Sequence, residues 1–242
     1  MDRDEPVRRL RPKLWEWDYL PLRYLSIHVR DTLSSDPAGV AVDVGAGRSP
    51  YRPLIHAERY VGIDIAARAG EGLVRGDAHA LPVRSCSADL VVSFQAFEHF
   101  DDPDEVVREI KRIAKPGARL VISTHGNWPH HGHDFHRWTY EGLALLFRDF
   151  RHVRVVPMGG PLSLCAQLLE RLLSWLELVG PRPIRPISRV VVGGVTSAAN
   201  MSAVALESLL GRSEAYRRER MRMADVYLVT CLAPDGPARE RD

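Results

Sequence analysis

Short apolar runs separated by turn-forming residues recur through the middle of the chain, and their lengths and order predict the fold. Residues 40–44 (Val-Ala-Val-Asp-Val) and 60–65 (Tyr-Val-Gly-Ile-Asp-Ile) have the near-continuous apolar pattern of strands covered on both faces of a parallel sheet. Residues 72–75, 88–94, 118–123, 151–156 and 225–232 extend the series to seven strands. Behind Asp101, Asp102 and Pro103, the positions Val106, Val107, Ile110 and Ile113 recur at helical spacing. They predict a helix over about 104–114, stopped by Lys115-Pro116-Gly117. A second helix is expected over 140–147. Alternation of this kind predicts an α/β fold, a doubly wound, seven-stranded and mostly parallel sheet.

The two ends depart from that rhythm. Residues 14–33 carry apolar and aromatic positions at helical spacing, broken at Pro21, and predict a helical cap behind a charged, frayed segment 1–11. Residues 162–179 and 188–210 are two apolar helical runs separated by 180–186, which holds three prolines. No charge falls between Arg189 and Glu207. About 65 residues thus separate the last two strands, far more than a hairpin loop needs. The expected division is a cap over 1–37, a cofactor-binding core over 38–158, a helical insertion over 159–224, a last core strand over 225–233 and a disordered tail over 234–242. For the insertion the expected roles, in order, are lid or acceptor-pocket wall, homodimer interface, and peripheral membrane contact through about 160–210.

Candidate chemistry gathers at the strand ends. Gly45 and Gly47 follow the first strand, where missing Cβ atoms let the backbone turn sharply and approach a ligand. The second strand ends in Asp64, an acid placed to accept both ribose hydroxyls of a nucleoside. Asp77 followed by the small Ala78 suits an adenine amino group and close passage of its ring. A dinucleotide fingerprint would need a third glycine at Pro50, and a pyrophosphate would need a free helix N-terminus. S-adenosylmethionine, which has no phosphate, fits the pattern better.

Composition narrows the partners. With 45% hydrophobic and 26% charged residues and a net charge of +2, the chain reads as globular, and no nucleic-acid partner is expected. The arginines at 217, 218, 220 and 222 read as a solvated helix face. Cys86, Cys165 and Cys231 are odd in number and widely spaced, which predicts a reducing, cytoplasmic setting. Arg8, Arg9 and Arg11 precede no apolar block, so no secretory signal is read there.

These residues together resemble the class I S-adenosylmethionine-dependent methyltransferases, in particular the type 11 group, over about residues 38–157. The resemblance rests on four ordered motifs: Asp43-Val44-Gly45-Ala46-Gly47, Gly62-Ile63-Asp64, Gly76-Asp77-Ala78 with Leu81-Pro82, and Glu98-His99 followed by Lys115-Pro116-Gly117. It implies the Rossmann-like methyltransferase fold, with the last two strands antiparallel. It also implies that Gly45, Ala46 and Gly47 pass beneath the methionine part of S-adenosylmethionine, with Asp43 supporting the loop. Asp64, with Ile65 beside it, would hold the ribose, Asp77 and Ala78 the adenine, and Ser93, Phe94 and Gln95 the methionine side. Pro50-Tyr51 is similar to a subgroup associated with glycan or cell-surface biosynthesis.

Half of the ten histidines fall between Thr124 and Thr139, in a loop expected to overhang the cleft. His131, Asp134, Phe135, Arg137, Trp138 and Thr139 match a pattern of the same subgroup. Because the sulfonium donor is already activated, the protein chiefly aligns the partners and, for a hydroxyl acceptor, removes a proton. His133 or His131 is the expected base, with Asp134 orienting it, while His99 reads as structural. The spacing of His130, His131 and His133 does not converge on an ion, and no metal is expected. The reading is an enzyme that methylates a small-molecule or glycan-like acceptor, with oxygen as the expected acceptor atom. Its alternative is a non-catalytic cofactor-binding or interaction module.

Overall fold

The structure, a computed structural model, describes residues 5–34, 37–68, 72–128, 132–179 and 185–235. Seven strands form one sheet: β1 (Ala38–Val44), β2 (Ala57–Asp64), β3 (Val74–Arg75), β4 (Ala88–Phe94), β5 (Ala114–His125), β6 (Arg151–Met158) and β7 (Val226–Leu232). Their order is β3-β2-β1-β4-β5-β7-β6. All neighbours are parallel except β7, which runs antiparallel to both β5 and β6.

Alternate residues of each strand feed two cores. Val42, Val44, Val91, Leu120 and Ile122 pack with α3 (Pro103–Ile113) and α4 (Tyr140–Leu146) on one face. Ala41, Leu90, Val92, Val121 and Leu228 pack on the other face with Leu25, Val29 and Leu33 of α2 (Tyr19–Leu33). The two-residue period of a strand therefore places apolar side chains on both faces, as the continuous runs predicted.

α3 starts where expected: Asp102 accepts a hydrogen bond from Glu105 N–H at 3.0 Å, and Pro103 opens the helix. It ends at Ile113, within one residue of expectation, but β5 begins at Ala114 rather than Ala118 and runs through Lys115-Pro116-Gly117. Pro21 does not interrupt α2; it sits in the first turn, where a missing N–H leaves no helical bond unmade. The N-terminal segment is not wholly frayed either. α1 (Glu5–Leu10) forms there, and Arg8 pairs with the buried Asp18 at 2.7 Å. β3 is shorter than expected, only Val74–Arg75.

Between β6 and β7 lie α5 (Pro161–Val179), α6 (Arg185–Leu210) and α7 (Glu214–Arg222). α5 and α6 pack on each other. Arg185 and Pro186, expected in the break between the apolar runs, open α6 instead, Pro186 being tolerated in a first turn. Arg217, Arg218 and Arg222 on α7 are exposed. The expectation of disorder falls for 236–242 outside the described residues, while Asp235 pairs with Arg151.

Candidate functional site

At the carboxyl ends of β1, β2 and β4 the chain opens into a cavity of about 780 Å³. Gly45, Gly47, Asp64, Ile65, Asp77, Ala78 and Gln95 line it, joined by His79, His99, Phe100 and Phe135. Seven predicted residues from the ends of four strands thus share one wall. Asp43, Ala46, Ser93 and Phe94 do not line it; they are buried behind it.

The first loop is pinned before it meets any ligand. Gly45 and Ala46 N–H both donate to Ile63 O, at 2.9 and 3.0 Å, so the loop after β1 is tied to the end of β2. Gly45 takes φ +70° and Gly47 φ +54°, left-handed values that glycine adopts without penalty. A Cβ on Gly45 would stand 2.6 Å from Ala96 Cβ, whereas one on Gly47 would meet nothing within 4 Å. One glycine therefore serves close packing and the other keeps the cavity open.

Asp43 supports the loop through Tyr60, a partner sequence reading missed. Tyr60 Oη lies 2.7 Å from Asp43 Oδ2 and 2.8 Å from Ser49 Oγ. Burial pushes the Asp43 carboxyl up to about 7, against the lowering effect of the Tyr60 hydrogen bond. Ser93 likewise acts inside the frame, its hydroxyl donating to Val44 O at 2.7 Å.

Asp64 is held by its own backbone surroundings. Oδ2 accepts from Gly47 N–H and Oδ1 from Ala66 N–H, both at 2.8 Å. A carboxylate has about four lone-pair sites, so each oxygen keeps one to accept from a ribose hydroxyl. On the third loop, Glu109 accepts from Leu81 N–H at 2.7 Å while Arg112 donates to Leu81 O and Val83 O, each at 2.9 Å. That clamp from α3 fixes the segment carrying Asp77 and Ala78. Two hydrogen bonds from His79, backbone and ring, hold the Asp77 carboxyl below the usual carboxylate range. His79 Nε2 also lies 3.2 Å from Asp101 Oδ1, so this histidine, which carried no sequence signal, bridges two loops of the cavity. Gln95 holds φ +57°, a strained value for a non-glycine residue, with its N–H donating to Ser123 O at 2.9 Å.

The histidine-rich loop sits differently from the sequence expectation. Phe135 and His136 N–H donate to Glu98 O at 2.8 and 3.3 Å, and Arg137 Nε donates to Trp128 O at 3.0 Å. Docked this way, the loop turns Asp134 inward. Its side chain is 1% exposed, pairs with Arg137, and places Oδ1 3.0 Å from Nδ1 of His99. His133 is exposed, and its carbonyl oxygen lies 3.2 Å from the same Nδ1. His131 lies outside the described residues, as does His130. The histidine that the structure brings to both Asp134 and the cavity is therefore His99. Its position in the loop directly after β4 was the available signal. Beneath it, Glu98 is fully buried, accepts from Thr124 Oγ1 at 2.7 Å and lies 3.2 Å from His125 Nδ1. Burial raises that carboxyl.

Comparison with known proteins agrees with this geometry. Residues 42–122 match the family described as methyltransferase domain. A malonyl-[acyl-carrier protein] O-methyltransferase of Methylococcus capsulatus is 34% identical over 106 residues, covering 37% of this chain and 38% of that protein. A protein of the same name from Coxiella burnetii is 37% identical over 94 residues, 35% of this chain and 33% of its own. Among solved structures, the [4+2]-cyclase SpnF superposes with a TM-score of 0.56 at 18% identity, over 90% of this chain and 83% of its own. The last likeness concerns the fold alone. The chain spans about half or less of the curated relatives' length. The core of this chain, around residues 42–122, thus has the sequence pattern and the Rossmann-like sheet of an S-adenosylmethionine-dependent methyltransferase domain. S-adenosylmethionine is its cofactor, and the glycine loop, the free lone pairs of Asp64 and the Asp77-Ala78 corner fit that molecule.

Proposed function

We propose that the protein transfers a methyl group to a hydroxyl oxygen of a small-molecule or glycan-like acceptor, with His99 as general base and Asp134 as its positioning residue. The observation that carries this reading is the single cavity wall shared by Gly45, Gly47, Asp64, Asp77 and His99, with a buried carboxylate behind the histidine. Bound there, S-adenosylmethionine supplies a methyl group on a sulfonium, which leaves as a neutral thioether when an acceptor oxygen takes the methyl carbon. Nδ1–H of His99 donates to His133 O at 3.2 Å, with Asp134 Oδ1 3.0 Å from the same nitrogen, which leaves Nε2 with a lone pair to take the acceptor proton. Phe135 and Phe100 supply apolar wall that excludes water. Gly45 and Gly47, with Gln95, would hold the methionine part, Asp64 and Ile65 the ribose, and Asp77 and Ala78 the adenine. Transfer to oxygen is also the reaction named for the two curated relatives. The three free cysteines support a cytoplasmic setting.

The test uses methyl-labelled S-adenosylmethionine and a panel of hydroxyl, carboxyl and amine acceptors. His99→Gln is expected to lower kcat roughly 10²- to 10⁴-fold with cofactor affinity unchanged, the usual contribution of a positioned base. Asp134→Asn should show a smaller loss of kcat, and His133→Gln none. Loss in His133→Gln but not in His99→Gln would move the base to the loop. Cofactor binding without turnover on any acceptor would instead favour a non-catalytic module.

A further inference from the structure

α5 and α6 are built inside out. On α6 the buried side chains are Thr196, Asn200, Ala203 and Glu207, at steps of three and four residues along one helix face. Large apolar side chains take the outward positions: Val190 is 77% exposed, Met201 61% and Leu209 73%. α5 repeats the inversion, burying Ser163, Gln167 and Glu170 while Leu168, Leu172 and Trp175 stand exposed. A helix on a water-facing surface has the opposite arrangement.

Contacts beneath the pair fix this orientation. Asn200 Nδ2 donates to Leu14 O at 2.9 Å, and Tyr24 of α2 donates its hydroxyl to Glu207. Ser163 donates its N–H to Glu207 at 3.3 Å and its hydroxyl to Asp225, while Gln167 Nε2 donates to Ser163 O at 3.2 Å. Rotating either helix to hide its leucines and valines would strip these buried polar groups of their partners, and a buried polar group left unpaired is costly. The apolar face is thus the one the fold turns outward. Within it, Val190–Leu210 has a mean hydropathy of 1.3 and only 17% of its window is buried.

Charge identifies what meets that face. Residues 185–224 hold seven arginines and no lysine against three glutamates, a surplus of four, so the rest of a chain with net charge +2 carries −2. Arg212 and Arg217, just beyond the end of α6, are exposed. Trp15 is 59% exposed beside Gly193 of α6, with Lys13 Nζ 5.6 Å from its ring centroid. Leucine and valine flanked by tryptophan, arginine and lysine is the composition of a helix surface lying in the headgroup region of a bilayer.

We infer that the outer face of α5 and α6 docks the protein onto an anionic lipid bilayer. Docking adds apolar burial to attraction between the basic flank and acidic headgroups. The test is flotation of the full chain with vesicles of phosphatidylcholine alone or mixed with phosphatidylglycerol, at low and high salt. Flotation with the anionic vesicles, weakened by salt, is expected. Arg212→Gln together with Arg217→Gln should reduce vesicle affinity roughly thirtyfold. Val190→Glu with Met201→Glu should abolish flotation while circular dichroism and cofactor binding stay as in the parent, which separates lost docking from lost folding. Failure to float with either vesicle would overturn the inference. So would a dimer in light scattering that dissolves in the same double variant without vesicle binding, because a second copy would then cover the face. Equal flotation with both vesicles, indifferent to the arginine variants, would overturn the anionic preference.

Discussion

Replacing Asp64 by alanine should separate cofactor affinity from folding more cleanly than any other change in the cavity. The carboxylate already accepts from Gly47 N–H and Ala66 N–H, both at 2.8 Å, and each oxygen retains one lone pair for a ribose hydroxyl. Two charge-assisted hydrogen bonds of about 1.5 kcal/mol each amount to about 3 kcal/mol, or roughly a 150-fold weaker Kd. Loss of the two loop bonds adds disorder at Gly47, so this figure is a lower bound. Asp64→Asn keeps one acceptor oxygen but turns a donor towards groups that themselves donate, and it should fall almost as far. Titration calorimetry with S-adenosylmethionine and with S-adenosylhomocysteine measures both, and thermal melting reports whether the fold survives. Because Asp64 lies at a strand end rather than in either core, melting should move by only a few degrees. A Kd within threefold of the parent in a folded Asp64→Ala protein would refute the ribose assignment and the placement of the cofactor built on it.

Gly45→Ala adds a Cβ 2.6 Å from Ala96 Cβ at φ +70°, and should destabilise by at least ~2 kcal/mol, a melting shift of about 4–8 °C. Gly47→Ala meets nothing within 4 Å and keeps only the backbone strain at φ +54°, so about half that shift is expected in the same melting experiment. Asp43 predicts a pH effect of definite sign. Burial raises its folded value from 3.8 to about 7, so the folded state holds a proton that the unfolded state releases. The contribution is therefore complete below about pH 4 and lost as pH rises to about 7, by at most ~4 kcal/mol. Asp43→Asn cannot ionise and should gain on the parent across that window in urea denaturation; parallel stability curves would show the carboxyl to be ionised throughout.

What the sequence made legible was local. Two glycines after an apolar run, an acid ending the next strand and Asp77-Ala78 after a third each announce themselves within a few residues, and the sheet order then places them on one wall. The meeting of His99 with Asp134 was hidden because Asp134 arrives on a loop after β5, and only the docking of that loop onto Glu98 O brings them together. Asp134 was singled out as an orienting group for a neighbour in sequence, whereas in space its carboxylate faces His99. Pro21 illustrates a different limit: its effect depends on where the helix starts, and a start at Tyr19 makes it harmless. Periodicity also revealed apolar stripes on α5 and α6 without saying which way they face, because a helical wheel has no inside until its neighbours are known.

The placement of β7 has a consequence for how the molecule is assembled. β7 is the last of the described elements in sequence, yet it lies between β5 and β6 and supplies the hydrogen bonds to both. β6 therefore has no seat in the sheet until residues 226–232 have left the ribosome. During synthesis the edge of β5 stays open and β6 waits, tethered through α5, α6 and α7 to a strand not yet made. Pairings of such long sequence separation form slowly. Chains cut short before residue 226 should keep β1 to β5 but expose the edge of β5, making premature termination a route to aggregation rather than to a shorter working enzyme.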